Sequence, residues 1–247
     1  MSYDAETLTM AWHAAQELHD GEVVFVGIGA PGLAAMIARR SHAPDITMIF
    51  ESGVIGADPD KPPLSTGSPS VARGAAMIGT MLDVFATLQQ GRIDVGMLSG
   101  AEIDRRGNLN STAIGAYDNP AVRLPGSGGA HDIAMLARRT VLLMPHEPKR
   151  FVEKVGYITS PGHPASGVRA VRPGSGAGPA ALVTPRALFR FDDGEMTLAA
   201  TAHGVTAGEA VAGISWDVRR RHRLDVLPPL PDKNHSIFDF VNDGASA

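Results

Sequence analysis

The residues of this chain best placed to do chemistry are a single acid and a pair of glycines. Ile46-Thr47-Met48-Ile49-Phe50 is a short apolar run that ends abruptly in Glu51, followed by Ser52, Gly53 and, three positions on, Gly56. An apolar run bounded by turn residues predicts a buried strand. Glu51 then falls at its carboxyl end, on a glycine-loosened turn where backbone can approach a ligand closely. In open α/β sheets ligands bind outside the carboxyl ends of the strands. The plainer reading of Glu51 is a solvated residue closing a strand, since glutamates are mostly exposed. The second feature is Pro125-Gly126-Ser127-Gly128-Gly129-Ala130, just before a helical stretch from Asp132 to Arg138. Glycines at a helix start leave backbone N–H groups free to face an oxyanion. A carboxylate can act as general base, metal ligand or covalent nucleophile.

Other chemistries are thinned by what is missing. There is no cysteine, so disulfides, thiolate metal sites and cysteine nucleophiles are excluded. His146-Glu147 opens like a zinc-protease motif, but Arg150 stands where the second histidine would be, and no metal site is expected. No serine and histidine lie at a diagnostic spacing. Gly27-Ile28-Gly29-Ala30-Pro31-Gly32 satisfies G-x-G-x-x-G between a strand and a helix, with Glu51 about 20 residues further on, which keeps a dinucleotide-binding reading open. Against it, Pro31 removes one of the backbone donors a pyrophosphate needs, and these glycines read better as a close-packed turn. Arg219-Arg220-Arg221-His222-Arg223 reads as a solvated face or interface rim. With a formal net charge of −4, nucleic acid is not an expected partner. No apolar run approaches the roughly 18 residues of a bilayer span, and the acidic start Met1-Ser2-Tyr3-Asp4-Ala5-Glu6 lacks a secretory pattern, so a cytoplasmic location is expected.

The elements that must carry these residues alternate. Leu8, Ala11, Trp12, Ala15 and Leu18 recur at helical spacing behind Asp4, a candidate N-cap, with Gly21 as a stop. Val23–Val26 is a strand, Leu33–Arg40 a helix, Ile46–Phe50 a strand, and Ala57–Ser70 a long Pro/Gly/Ser loop containing Ser65. Loops of that length are often functional. Met77–Leu88 reads as a helix, with Val95–Leu98 and Thr140–Met144 as further strands. Gly162–Pro179 reads as loop, Leu188–Leu198 as a hairpin turning at Asp192-Asp193-Gly194, and Thr206-Ala207-Gly208-Glu209 as a capping box. The expected fold is α/β: an open, mostly parallel sheet covered by helices on both faces, with a C-terminal β-hairpin elaboration. In a chain of 247 residues, this suggests one domain over 1–230 and an extended C-terminal tail over 231–247.

Several separate blocks resemble the β subunit of class I coenzyme A transferases, most closely the glutaconate CoA-transferase branch. They are Phe50-Glu51-Ser52-Gly53; Ser99-Gly100-Ala101-Glu102-Ile103-Asp104 with Gly107-Asn108-Leu109-Asn110-Ser111-Thr112; Gly126-Ser127-Gly128-Gly129-Ala130; and Tyr157-Ile158-Thr159-Ser160-Pro161-Gly162. The resemblance covers roughly residues 5 to 220 and implies the NagB-RpiA-like fold of those transferases. It departs from the commoner signature at Phe50 and Ser52, on either side of the acid. In the resembled family a glutamate attacks an acyl-CoA thioester, passing through a mixed anhydride to a glutamyl-CoA thioester that the acceptor acid opens. By resemblance Glu51 is that nucleophile and Gly129 the backbone donor to the oxyanion. Gly128 lets the chain approach, Ser52 and Gly53 complete the signature, and Ser65 is a candidate acyl contact or an ordinary loop serine. The resemblance also implies an α-subunit partner, in an αβ or α2β2 assembly. It implies coenzyme A thioester as substrate, with no tightly bound cofactor. The acyl groups would be small carboxylic acids of the dicarboxylate or 3-oxoacid type. Relatives of the fold decarboxylate CoA thioesters or cleave their C–C bonds hydrolytically, and a non-catalytic ligand-binding domain is the remaining alternative.

Overall fold

The structure is a computed structural model that describes residues 3–165, 176–232 and 235–242. Part of the loop expected over Gly162–Pro179 and the end of the expected tail lie outside the described residues. In chain order the elements are α1 (Ala5–Ala15), β1 (Val23–Phe25), α2 (Ala30–Arg39), β2 (Thr47–Phe50), β3 (Val54–Ile55), β4 (Met77–Ile78), α3 (Met81–Gln89) and β5 (Val95–Ser99). Next come β6 (Glu102–Ile103), β7 (Leu109–Asn110), β8 (Ala113–Ala116), β9 (Asn119–Arg123), α4 (Ala130–Leu136) and β10 (Arg139–Leu143). The last third holds β11 (Pro179–Val183), β12 (Ala187–Asp192), β13 (Glu195–Thr201), α5 (Ala207–Val211), β14 (Arg219–Val226) and α6 (Asp239–Asn242).

Ten of the strands form one sheet in the order β14-β13-β12-β11-β10-β5-β1-β2-β3-β4. Its centre is parallel, with β1 paired to β2 on one side and to β5 on the other, β5 to β10, and β10 to β11. From β1 the chain first builds outward to β2, then crosses back to place β5 on the opposite side. That reversal is a topological switch point, and it opens a crevice at the carboxyl ends of β1, β2 and β5. Alternation along the strands fills both faces. Val24, Met48, Phe50 and Met97 pack with α1 and α2, whereas Phe25, Ile49 and Leu98 pack with α3, α4 and α5. Each large side chain so buried contributes about 1.5–3 kcal/mol by leaving water.

Local chemistry sets the element ends. The Asp4 carboxylate accepts the Thr7 N–H at 2.7 Å and caps α1. Pro31 sits in the first turn of α2, where its missing N–H has no intrahelical partner to lose. The capping box expected at Thr206 forms, with the Glu209 carboxylate accepting the Thr206 N–H at 2.8 Å.

Three stretches differ from expectation. Met77 and Ile78 are not helical: they form β4, and Gly79 ends it before Thr80 and Asp83 build a capping box for α3. A two-residue strand has too few positions to show a period of two, so its residues merge by pattern into the helix that follows. Residues 179–183, at the margin of the expected loop, are β11 in the heart of the sheet. The expected extended tail folds where it is described. Ser236–Phe238 form a 3-10 turn leading into α6, Ile237, Phe238 and Phe240 are buried, and the Arg40 guanidinium lies 4.6 Å above the Phe240 ring. In that segment the apolar residues are too few to register as periodic.

Two histidines are locked inside. His146 Nε2 is 3.0 Å from the Ala212 carbonyl, which can only accept, so Nε2 carries a proton, while Nδ1 lies 3.2 Å from Thr184 Oγ1. His13 Nε2 donates in the same way to the Pro228 carbonyl at 3.2 Å. Burial holds both rings below the ordinary histidine pKa. The folded protein therefore binds fewer protons than the unfolded chain once the pH falls below about 6.5. Stability from these rings is full above that value and drains as the pH drops. The melting temperature should fall between pH 7 and 5.5, and His13→Gln should flatten the fall. A pH-independent melting temperature over that window would show that neither ring is held neutral.

Candidate active site

Glu51 owes its position to a turn that only glycine can make. The Gly53 N–H bonds the Phe50 carbonyl at 3.0 Å, closing β2, and the Gly53 carbonyl accepts from Gly79 N at 2.9 Å, tying β3 to the segment before α3. Gly53 has φ +109°, and a β-carbon there would come within 2.4 Å of the Gly79 carbonyl oxygen. That contact is far inside van der Waals distance, so the turn 51–53 accepts no other residue without moving backbone. Glu51 is left half-buried at the carboxyl end of β2, beside the switch point. The neighbouring Ser52 hydroxyl is buried with no hydrogen-bond partner among the described residues.

The glycine pair arrives from the other side. The Ser127 carbonyl accepts Ala130 N at 2.9 Å, and its hydroxyl accepts His131 N at 3.4 Å, turning the chain into α4. Gly128 takes φ +48°, and a β-carbon on it would stand 3.7 Å from Glu51 Oε1. On Gly129 a β-carbon would stand 3.3 Å from the same oxygen and 2.5 Å from Phe85 Cζ. The carboxylate thus rests against bare backbone. Among the described residues no hydrogen bond engages the N–H groups of Gly128 or Gly129, which are the unpaired donors a helix start leaves over. Phe85, tilted on Phe25 with ring centroids 5.9 Å apart, makes the apolar wall. Against such a wall water is displaced and electrostatic interactions strengthen.

The remaining blocks hold this loop in place. Ser111 pairs with Gly126 twice, its carbonyl accepting Gly126 N at 2.8 Å and its hydroxyl donating to the Gly126 carbonyl at 3.0 Å, while Leu124 N bonds the Thr112 carbonyl at 3.0 Å. Ser111 and Thr112 are themselves pinned by the buried Thr159 hydroxyl, at 2.9 Å to Ser111 N and 2.7 Å to Thr112 Oγ1. Leu109 and Ser160 exchange backbone bonds of 2.9 and 3.1 Å. Asn108 anchors to Asp104 and accepts Gly162 N at 2.8 Å. Blocks distant in sequence therefore meet as one scaffold beneath the glycine pair.

Glu51, Gly128 and Gly129 converge, with Ser52 and Gly53 in the same turn. Ser65 is not drawn in by any described contact: it is exposed, and its hydroxyl accepts Gly67 N at 3.2 Å within its own loop. Gly27 and Gly32 form a close turn, since a β-carbon on Gly32 would meet the Gly27 carbonyl at 2.9 Å. His146 is spent on Thr184 and Ala212, and no group of three potential metal ligands occurs among the described residues. Sequence reasoning missed Phe85, whose only signal was its place in a helical stretch. It also missed Arg150, which stands with Ser99 on a recess beside the glycine loop. No helix among the described residues is long and apolar enough to cross a membrane.

Comparison with known proteins bears on the fold and the family. The sequence profile of the Coenzyme A transferase family matches residues 7–212. The chain is 40% identical over 218 residues to the B subunit of 3-oxoadipate CoA-transferase from Pseudomonas knackmussii, covering 87% of this chain and 83% of that protein. To the B subunit of glutaconate CoA-transferase from Acidaminococcus fermentans it is 34% identical over 240 residues, covering 93% and 90%. The crystal structure of the glutaconate enzyme superposes with a TM-score of 0.82 at 31% identity, over 94% of this chain and 91% of that one. The fold, the extent of the match and these relatives agree, and the chain belongs to the coenzyme A transferase family.

Proposed function

We propose that this chain is the β subunit of a CoA-transferase that moves CoA between small dicarboxylic acids by a ping-pong reaction through Glu51. The observation that carries the proposal is the rest position of Glu51 Oε1 against Gly128 and Gly129. In the first step a Glu51 oxygen adds to the thioester carbonyl of the donor. The C–S bond breaks, the CoA thiolate leaves, and an acyl-glutamyl anhydride remains. The thiolate then adds to the glutamyl carbonyl of that anhydride, releasing the donor acid as carboxylate and leaving glutamyl-CoA thioester. The acceptor carboxylate reverses both steps, so atoms and charge balance with no added reductant or metal.

A carboxylate is a weak nucleophile in water, so the site must exclude water and hold the oxyanion. The Phe85 wall serves the first need. The Gly129 N–H, which no described residue engages, serves the second, and removing one such donor typically costs about 3–4 kcal/mol of barrier. Coenzyme A enters this reaction as substrate and not as a resident cofactor. The acyl class follows the two relatives above, whose names specify 3-oxoadipate and glutaconate, both dicarboxylic acids.

The same relatives are named as B subunits, which implies an α-subunit partner, and we assign that partner to the sheet edge next to Glu51. Leu64, Met77, Ile78, Met81 and Leu82 are 71%, 47%, 69%, 54% and 77% exposed. Met77 and Ile78 form β4, the open edge of the sheet. An uncovered apolar edge strand is a pairing hazard, and a partner that covers it removes the hazard.

Two tests follow. The assembled enzyme, incubated with acyl-CoA and reduced with borohydride, should carry an alcohol in place of the carboxyl at residue 51. Glu51→Gln should escape reduction and lose transfer by on the order of 10³-fold or more; near wild-type transfer by that variant would refute covalent catalysis. Ile78→Glu with Leu82→Glu should leave the isolated chain folded by circular dichroism yet abolish co-purification with a co-expressed α subunit. Undiminished association would place the interface elsewhere.

A further inference from the structure

The chain carries a second polar feature at the same end of the sheet. A recess of about 280 Å³ is lined by Ser99, Gly100, Ser111, Leu124, Pro125 and Arg150 among others. That space is small for a ligand pocket and far too small for coenzyme A, but it suits the chain of a short acid. Ser99 closes β5, and Arg150 closes the 3-10 turn Pro148–Arg150. We infer that this recess holds the far carboxylate of the acyl group, with Arg150 as the residue that reads it. The inference rests on the reading of Glu51 as the acyl carrier.

Charge supports it. Glu147 is shared between Lys149 Nζ at 2.9 Å and Arg150 Nε at 3.3 Å, so two cations face one carboxylate and the cluster stays net positive. The guanidinium still has donors to spare: Nε is engaged by Glu147, Nη1 reaches the Gly100 carbonyl only at 3.5 Å, and Nη2 bonds no described residue. A planar guanidinium with spare donors is the side chain best matched to a carboxylate. The Ser99 hydroxyl is exposed at the strand end beside it.

Distance supports it too. β5 and β2 are separated in the sheet by β1 alone, and two strand spacings put their carboxyl ends about 10 Å apart. A five- or six-carbon dicarboxylic chain, advancing about 1.2 Å per bond, spans roughly 5–6 Å between its terminal carbons. A contact of about 3 Å at each end, one to the attacking oxygen and one to a hydrogen-bond donor, brings the reach to roughly 11–12 Å. A monocarboxylic chain leaves the positive end of the recess unpaired. Selection of the acyl group is thereby built into this chain and does not depend on the partner alone.

The test compares the assembled transferase, wild type and Arg150→Gln, on glutaryl-CoA and butyryl-CoA. Wild type should favour glutaryl-CoA in kcat/KM. Arg150→Gln should lower the ratio of glutaryl to butyryl kcat/KM by about 10- to 100-fold, the worth of a charged hydrogen bond, chiefly through KM. Arg150→Lys should restore part of the ratio. A wild type without preference, or a ratio unchanged in Arg150→Gln, overturns the inference, and an equal loss on both esters marks Arg150 as a brace for the Gly100 loop. Borohydride reduction of residue 51 in wild type is scored in parallel. If it fails, the covalent reading falls; if it succeeds while the ratio stays fixed, only the role of Arg150 falls.

Discussion

A carboxylate can lie against peptide backbone only where no β-carbon intervenes, and this steric condition governs the site. It is met at Gly128 and at Gly129, the latter squeezed between Glu51 and Phe85; a second close approach, of Gly53 to the Gly79 carbonyl, makes the turn that presents Glu51. Neither contact stabilises the fold by much. Both are permitted because larger forces elsewhere hold the flanking segments rigid: β2 is paired to β1 and β3, and the glycine loop is laced to Ser111 and Thr112. The result is a carboxylate held half-buried beside N–H donors that no described residue engages, an arrangement organised before any substrate arrives.

The switch point explains why that arrangement sits where it does. Side chains at the carboxyl ends of β1, β2 and β5 face a common crevice because the chain leaves β1 in both directions. Glu51 follows the end of β2, and Ser99 ends β5. The short antiparallel pair β6–β7 and the hairpin β8–β9 grow from the end of β5 and carry the glycine loop back over the crevice. Three blocks that look unrelated along the chain are one structure in space.

How much of this could be read from the residues depended on the range of the cause. Glu51 was legible because a buried strand ending in an acid and glycines is a local pattern, and the Asp4 and Thr206 caps were legible for the same reason. The alternation of Val23–Phe25, Thr47–Phe50 and Val95–Ser99 with helices made the parallel core legible. What escaped was non-local or too short. β4 has two residues and no period, β11 begins at a proline inside a glycine-rich stretch, and Phe238 and Phe240 reveal burial only once α2 is there to receive them. Phe85 meets Gly129, and Arg150 meets the recess at Ser99, through approach in space, from a helix and a turn whose sequences carry no catalytic signature. Ser65, singled out by resemblance, keeps its described contacts within its own loop.

The two ends of the ten-stranded sheet are chemically opposite. At one, β14 exposes Arg219, Arg220, Arg221 and Arg223, with Arg221 held to Asp192 by contacts of 2.6 and 2.8 Å. At the other, β4 exposes Met77 and Ile78. Arg219 is likewise paired, with Asp193 and Glu195, so laying copies of this chain end to end would press a row of partly paired guanidinium groups against an apolar edge and strip them of water, which charges resist. The two edges of the sheet therefore differ in what could lie against them: an apolar surface suits β4, and water or acids suit β14.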